Sequence, residues 1–218
     1  MEIVFISGWA TNRSIWDKVK LEQNLPAKYL EWSDVLKESY TLPSECILVG
    51  WSLGGQLALN MLHHKEVKGI LLVSSMCNIT SKIERPGVNP NLFKQIVMML
   101  KRSRSGYLNS FFKQCGANEE ELNELMKQAE SFTDSELVDG LKMMFKEEVT
   151  PARTLPATII HGTSDLVIPH ECSEYIFEKY LYQCTSLFPV NGGKHLIPMT
   201  HPERIIEAVN ELVERVNS

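Results

Sequence analysis

The sequence predicts an α/β fold: a mostly parallel sheet of about six strands flanked by helices, with a run of helices inserted late in the sheet. Three observations predict it. Short apolar runs alternate with helix-like segments from Ile3 to Ser75, an order that implies parallel strands joined by right-handed crossovers. From about Cys77 to Arg153 the chain is amphipathic and no β-branched run interrupts it. The alternation resumes at Pro156 and runs to the end. The boundaries that follow are a core of residues 1–76 and 154–218 and a helical insertion of residues 77–153.

Taken in order, Ile3 to Ser7 is an apolar strand that Gly8-Trp9-Ala10-Thr11-Asn12 turns, and Ile15 to Leu25 is helix-like up to Pro26. Lys28 to Trp32 is a weak second strand with Ser33-Asp34 at its end. Ile47 to Val49 is a buried strand, Gln56 begins a helix to about His64, and Ile70 to Val73 is too short an apolar run for a helix and fits a strand covered on both faces. Asn91–Leu100, Gly106–Cys115, Glu119–Phe132 and Asp134–Phe145 predict three or four helices, with acids or Asn and Ser at several starts. Pro156 to Gly162 is a strand, about His170 to Leu181 a helix, and Thr185 to Pro189 the last strand. A terminal helix of roughly Pro202 to Val216 opens on proline.

Composition narrows the function. With 44% apolar and 22% charged residues the 218-residue chain has an ordinary globular balance, and a net charge of −5 argues against a dedicated nucleic-acid binder. No apolar stretch approaches the ~20 residues of a membrane span, and Met1 to Ile6 reads as a strand, not a signal peptide. The five cysteines, Cys46, Cys77, Cys115, Cys172 and Cys184, are scattered and odd in number, as in a reduced cytoplasmic protein. Metal-ligand spacings and glycine-rich phosphate loops are missing, so neither a metal nor a cofactor is expected.

One stretch carries chemistry. In Gly50-Trp51-Ser52-Leu53-Gly54-Gly55, Ser52 sits on a strand-to-helix turn so sharp that its neighbours two residues away must lack a Cβ. A neutral hydroxyl needs a base, and the base needs an orienting carboxylate. Asp165 follows a strand and a glycine directly, with Asp34 as the fallback; His195 follows the final strand behind a mobile Gly192-Gly193 pair. Of the other histidines, His63 and His64 lie at a helix end, His161 lies inside a strand as a core residue, and His170 and His201 open helices, where they would cap. Ser52, Asp165, His195 is the chain order of the α/β-hydrolase triad. The backbone amides of Leu53 and Trp9 are the candidate oxyanion donors, and Trp51, Leu196 and Phe111, with the Trp9 indole, are candidate pocket walls. Phenylalanines and methionines of the insertion suit an acyl-chain pocket under a helical lid.

Ser7-Gly8-Trp9 with Ile15-Trp16, Gly50 to Gly55, Ser74-Ser75-Met76-Cys77, Arg85-Pro86-Gly87-Val88-Asn89-Pro90, Gly162-x-x-Asp165 and His195-x-x-Pro198 ahead of His201-Pro202-Glu203 together resemble the BioH family of α/β-hydrolases. Those carboxylesterases cleave the methyl ester of pimeloyl-acyl-carrier protein in biotin synthesis. The resemblance covers nearly the whole chain. It implies an esterase with Ser52, Asp165 and His195 as triad, Trp9 and Leu53 as oxyanion donors, the insertion as lid, and an acidic carrier protein held by basic lid residues. Lys94, Lys101, Arg102, Arg104 and Lys113 crowd the first half of the insertion, with Lys101, Arg102 and Arg104 the candidate contacts. Departures are Ser7 where relatives usually carry His, the want of the Asp-x-x-Gly-x-Gly loop after Asp34, and the want of two leading strands. The same residues would also serve a thioesterase, a C–C hydrolase, a lyase of the menaquinone pathway, or a non-catalytic ligand-binding homologue.

Overall fold

A computed structural model describes residues 1–21, 25–181 and 185–218. Its centre is a six-stranded parallel sheet: β1 (Glu2–Ile6), β2 (Ala27–Leu30), β3 (Cys46–Trp51), β4 (Val67–Val73), β5 (Ala157–Gly162) and β6 (Thr185–Val190), in the spatial order β2-β1-β3-β4-β5-β6. The helices are α1 (Trp32–Leu36), α2 (Leu53–Asn60), α3 (Leu92–Arg102), α4 (Arg104–Cys115), α5 (Glu119–Ala129), α6 (Asp134–Lys146), α7 (Glu171–Ile176), α8 (Ile197–Thr200) and α9 (Pro202–Asn217). Ile47, Leu48 and Val49 in β3 and Ile70 to Val73 in β4 are all fully buried, as strands covered on both faces require.

Register decides where chemistry can gather. Ile6 pairs with Gly50, Trp51 with Val73, Val73 with Ile160 and Gly162 with Val190. The carboxyl ends of β1, β3, β4, β5 and β6 therefore share one edge, the edge where open α/β sheets bind ligands. α3 to α6 lie between β4 and β5 in the chain, so the insertion returns to this same edge. Its two ends are tied together and to the core: Val149 N–H donates to Cys77 carbonyl at 3.0 Å, and Gln56 Nε2 of α2 faces the carbonyls of Cys77, Met143 and Glu147 at 3.0–3.2 Å.

Three local expectations fail. The helix expected over Ile15–Leu25 is a single 3-10 turn, Arg13–Trp16, and residues 22–24 of that span lie outside the described residues. Ile15, Trp16 and Val19 dock individually on the core, Trp16 with its ring 4.9 Å from that of Phe5, so tertiary burial supersedes the helical spacing. Trp32 opens α1 instead of ending β2, because Ser7 Oγ accepts its amide hydrogen. The helix expected to Leu181 changes at Phe177 to a π turn. Cys46, Cys77, Cys115 and Cys172 are free and buried, and Cys184 lies outside the described residues. No helix among the described residues is long and apolar enough to cross a membrane.

Candidate active site

Ser52 is the hinge between β3 and α2, with φ 56° and ψ −121°, a left-handed conformation that a residue with a Cβ holds only when its surroundings enforce it. They do so by close approach. A Cβ on Gly54 would lie 2.3 Å from the Ile6 carbonyl oxygen, and one on Gly50 2.4 Å from the Gly54 carbonyl oxygen. Ser75 Oγ donates to the Ser52 carbonyl at 2.8 Å and buttresses the turn from β4. Leu53, first in α2, has an amide ahead of the first intrahelical bond. The turn after β1 lies alongside: Gly8 packs against Trp51 and Ser52, Thr11 donates twice to Gly8 carbonyl, and Ala10, next to Trp9, has φ 61°.

Two loops at the far side bring the partners. His195 Nε2 lies 3.0 Å from Ser52 Oγ, and His195 Nδ1 lies 2.7 Å from Asp165 Oδ2. A carboxylate only accepts, so Nδ1 carries the hydrogen and Nε2 is the free base facing the hydroxyl. Burial opposes ionisation of Asp165, but the positive charge that His195 carries when protonated and hydrogen bonds from both His161 and His195 outweigh it and hold the carboxyl well below its ordinary range. Asp165, not Asp34 of α1, takes this place. The expected mobility of Gly192-Gly193 is replaced by anchoring: Gly192 N–H donates to Thr163 Oγ1 at 2.9 Å, and Gly193 donates to Val190 and accepts from Ser164. The Asp165 and His195 loops are thus one unit, and Leu196 N–H donates to Cys115 carbonyl at 3.2 Å, joining it to α4.

A cavity of about 250 Å³ opens beside Ser52 under α3, α4 and α6. Trp9, Phe111, Tyr107, Ile96, Met99 and Met144 are among its walls. Burial pushes the Tyr107 phenol up, and the Trp9 indole N–H is spent on the Leu137 carbonyl at 2.8 Å, so the lining offers an ester little but apolar surface. Gln114 Nε2 donates to Leu166 carbonyl at 2.8 Å, linking α4 to the Asp165 loop across the cavity.

Four expectations need correction. Trp51 and Leu196 do not line this cavity. Trp51 lies behind the histidine, its indole N–H donating to the His195 carbonyl at 2.9 Å, because a strand residue ahead of the turn points to the opposite face from Ser52. Leu196 is fully buried under the loop. Arg104 is a structural bridge: its guanidinium pairs with Asp134 at 2.8 Å and donates to the carbonyls of Ala129 and Phe132. His170 and His201 occupy N-cap positions without a side-chain capping bond. Sequence reasoning also missed two polar residues here. His161, expected to be plain core, is buried but reaches Asp165 Oδ2 at 3.1 Å; a strand histidine four residues ahead of the carboxylate was the available signal, since a buried imidazole must find partners. Ser7 Oγ donates to Glu31 at 3.2 Å, fixing the approach to the Gly8-Trp9 turn.

Comparisons agree with this architecture. The chain is similar, at 22% identity over all of its length and 95% of the relative's, to the pimeloyl-[acyl-carrier protein] methyl ester esterase of Wigglesworthia glossinidia brevipalpis. It is 24% identical to the enzyme of the same name from Nitrosomonas europaea, over 97% of this chain and 95% of that one. An esterase structure from Exiguobacterium antarcticum superposes with a TM-score of 0.82 at 18% identity, over the whole chain and 92% of the other. Residues 21–208 match the sequence pattern of the alpha/beta hydrolase family, and with a parallel sheet of this order and a sharp strand-to-helix turn at Ser52 the chain belongs to that family.

Proposed function

We propose that the protein is a serine carboxylesterase working through an acyl-enzyme. The observation that carries this reading is the unbroken run from Ser52 Oγ through His195 to Asp165, at 3.0 and 2.7 Å, beside an apolar cavity. Ser52 attacks the ester carbonyl while His195 Nε2 takes its proton and returns it to the leaving alcohol; Asp165 keeps the imidazole in the required tautomer. The amides of Leu53 and Trp9 hold the oxyanion, and α3 to α6 act as lid. Water, activated by the same imidazole, releases the acid.

The finer reading is a carrier-linked methyl ester such as the one named for the relatives. A cavity of about 250 Å³ falls below the roughly 300 Å³ at which small-molecule pockets usually begin, which suits a narrow acyl chain. Lys101 and Arg102 at the exposed end of α3 offer an acidic carrier a surface.

The test is a fluorophosphonate probe with a panel of p-nitrophenyl esters beside one carrier-linked methyl ester. Wild type is expected to be labelled and to hydrolyse esters, and Ser52→Ala to lose both, with kcat falling by about 10⁴ or more. An unlabelled wild type that binds ligand without turnover removes the esterase reading.

A further inference from the structure

Asp165 is held by more donors than the pairing with His195 requires. Its Oδ1 accepts from the amides of Val167 at 2.8 Å and Ile168 at 3.0 Å. Its Oδ2 accepts from His195 Nδ1 and lies 3.1 Å from Nε2 of His161. His161 belongs to β5 and is 0% exposed. Its Nε2 faces two acceptors, Asp165 Oδ2 and the Ile168 carbonyl at 3.0 Å, so that nitrogen carries the hydrogen. Nδ1 is then the lone-pair nitrogen, and the buried Ser173 hydroxyl of α7 donates to it at 2.6 Å. One neutral tautomer satisfies all three neighbours, whereas the other would turn a lone pair onto the carboxylate.

Resting on the esterase reading, we propose that His161 is a positioning residue for the reaction: its fixed Nε2–H pins the oxygen of Asp165 that orients His195. With Oδ1 alone anchored, the carboxylate could still swing Oδ2 relative to the imidazole; a second donor on Oδ2 removes that freedom and shares its negative charge. The other titratable groups nearby leave this pairing undisturbed. The Cys115 and Cys172 thiols are raised by burial and also by the Asp165 charge, Cys172 to about 12, so both are neutral. His170 lies edge-on to His161 with ring centroids 5.6 Å apart, and its Nδ1 is 3.6 Å from Glu174.

The experiment compares wild type, His161→Leu, His161→Gln and Ser173→Ala in p-nitrophenyl butyrate hydrolysis, in fluorophosphonate labelling rate and in the pH profile of kcat/KM, with a thermal melt of each. His161→Leu is expected to lower kcat about tenfold to a hundredfold, the cost of one hydrogen bond to a charged group, with KM little changed. The acid limb of its profile should move to higher pH, because a carboxylate short of one donor holds the His195 proton more tightly. His161→Gln, whose amide nitrogen reaches the Nε2 position, should restore most of kcat and the original limb. Ser173→Ala keeps His161 and its Nε2–H but removes the hydrogen bond that holds the far side of the ring, and should lower kcat by a smaller factor; it is the deciding variant if His161→Leu does not fold. Folded His161→Leu with wild-type kcat and acid limb overturns the proposal, as does unchanged kcat in Ser173→Ala where His161→Leu is unfolded. In either event, wild type labelled at Ser52 leaves the esterase reading standing; an unlabelled wild type removes that reading instead.

Discussion

Ser52 holds its hydroxyl at the carboxyl edge of the sheet with φ 56°, because the glycines on either side let the backbone turn where a Cβ would collide. A hydroxyl flanked by Gly50 and Gly54 allows few backbone paths, and the approaches of 2.3 and 2.4 Å that a Cβ would make at those glycines explain why. Asp165 and His195 were legible from the sequence for a different reason: each follows a strand whose end the register forces to this edge. Trp51 was not. Alternation along β3 turns its ring away from Ser52, and only the coordinates show the indole N–H on the His195 carbonyl at 2.9 Å, with the two rings 5.2 Å apart. This yields a prediction opposite to the one a pocket residue would give. Trp51→Phe removes that donor and leaves the carbonyl to the Ile197 N–H alone, at 3.0 Å, so stability should fall by about 1 kcal/mol. The His195 loop loosens and kcat should drop, while KM for a p-nitrophenyl ester stays near wild type because the cavity wall is untouched. A change confined to KM would return Trp51 to the pocket.

At the level of elements, α5 and α6 of the insertion were legible because each begins on its own chemistry, whereas the Asn91 side chain ahead of α3 makes no capping bond. Asn118 with Glu121 and Thr133 with Glu136 form capping boxes at α5 and α6. The missing helix after Trp16 had comparable apolar spacing and a capped start, with Asn12 accepting from the Ser14 N–H, but its side chains found better partners in the core. The α6 box has a second duty, since Lys37 just past α1 pairs with Glu136 at 2.6 Å and ties the insertion to the core. That bond, together with the backbone and hydroxyl of Thr133, lowers the Glu136 carboxyl to about 2. A depressed acid stabilises in full above its unfolded value near 4.5 and loses the contribution as pH falls through about 2. The melting-temperature gap between wild type and Glu136→Gln should therefore be constant above about pH 5 and shrink progressively toward about pH 2. Thr133→Ala should cost about 1 kcal/mol at neutral pH. A gap that widens on acidification would break the linkage argument.

Across the whole molecule the net charge is −5, yet α3 carries Lys94, Lys101 and Arg102 exposed beside Met98 and Met99, which are 67% and 44% exposed. Met99 also walls the cavity, so this face joins the surface to the Ser52 site. Sequence alone grouped Arg104 with these cations because charge is legible and pairing is not. Folded, Arg104 closes α4 onto Asp134 and the end of α5, so its charge is already paired within the chain. The two kinds of cation should separate by experiment. Replacing Lys101 and Arg102 together by Glu should lower kcat/KM for an acidic carrier-linked ester by about tenfold or more at low salt, with the difference closing as salt rises. Hydrolysis of p-nitrophenyl butyrate and the melting temperature should hold, since neither residue touches the Ser52 site. Arg104→Ala should do the reverse: it removes the guanidinium from the Phe132 carbonyl and leaves the Ala129 carbonyl to the Phe132 N–H alone, lowers the melting temperature, and reduces turnover of both substrates alike. Equal loss on both substrates from the Lys101 and Arg102 exchange would remove the docking surface and leave α3 as a solvated face of the insertion.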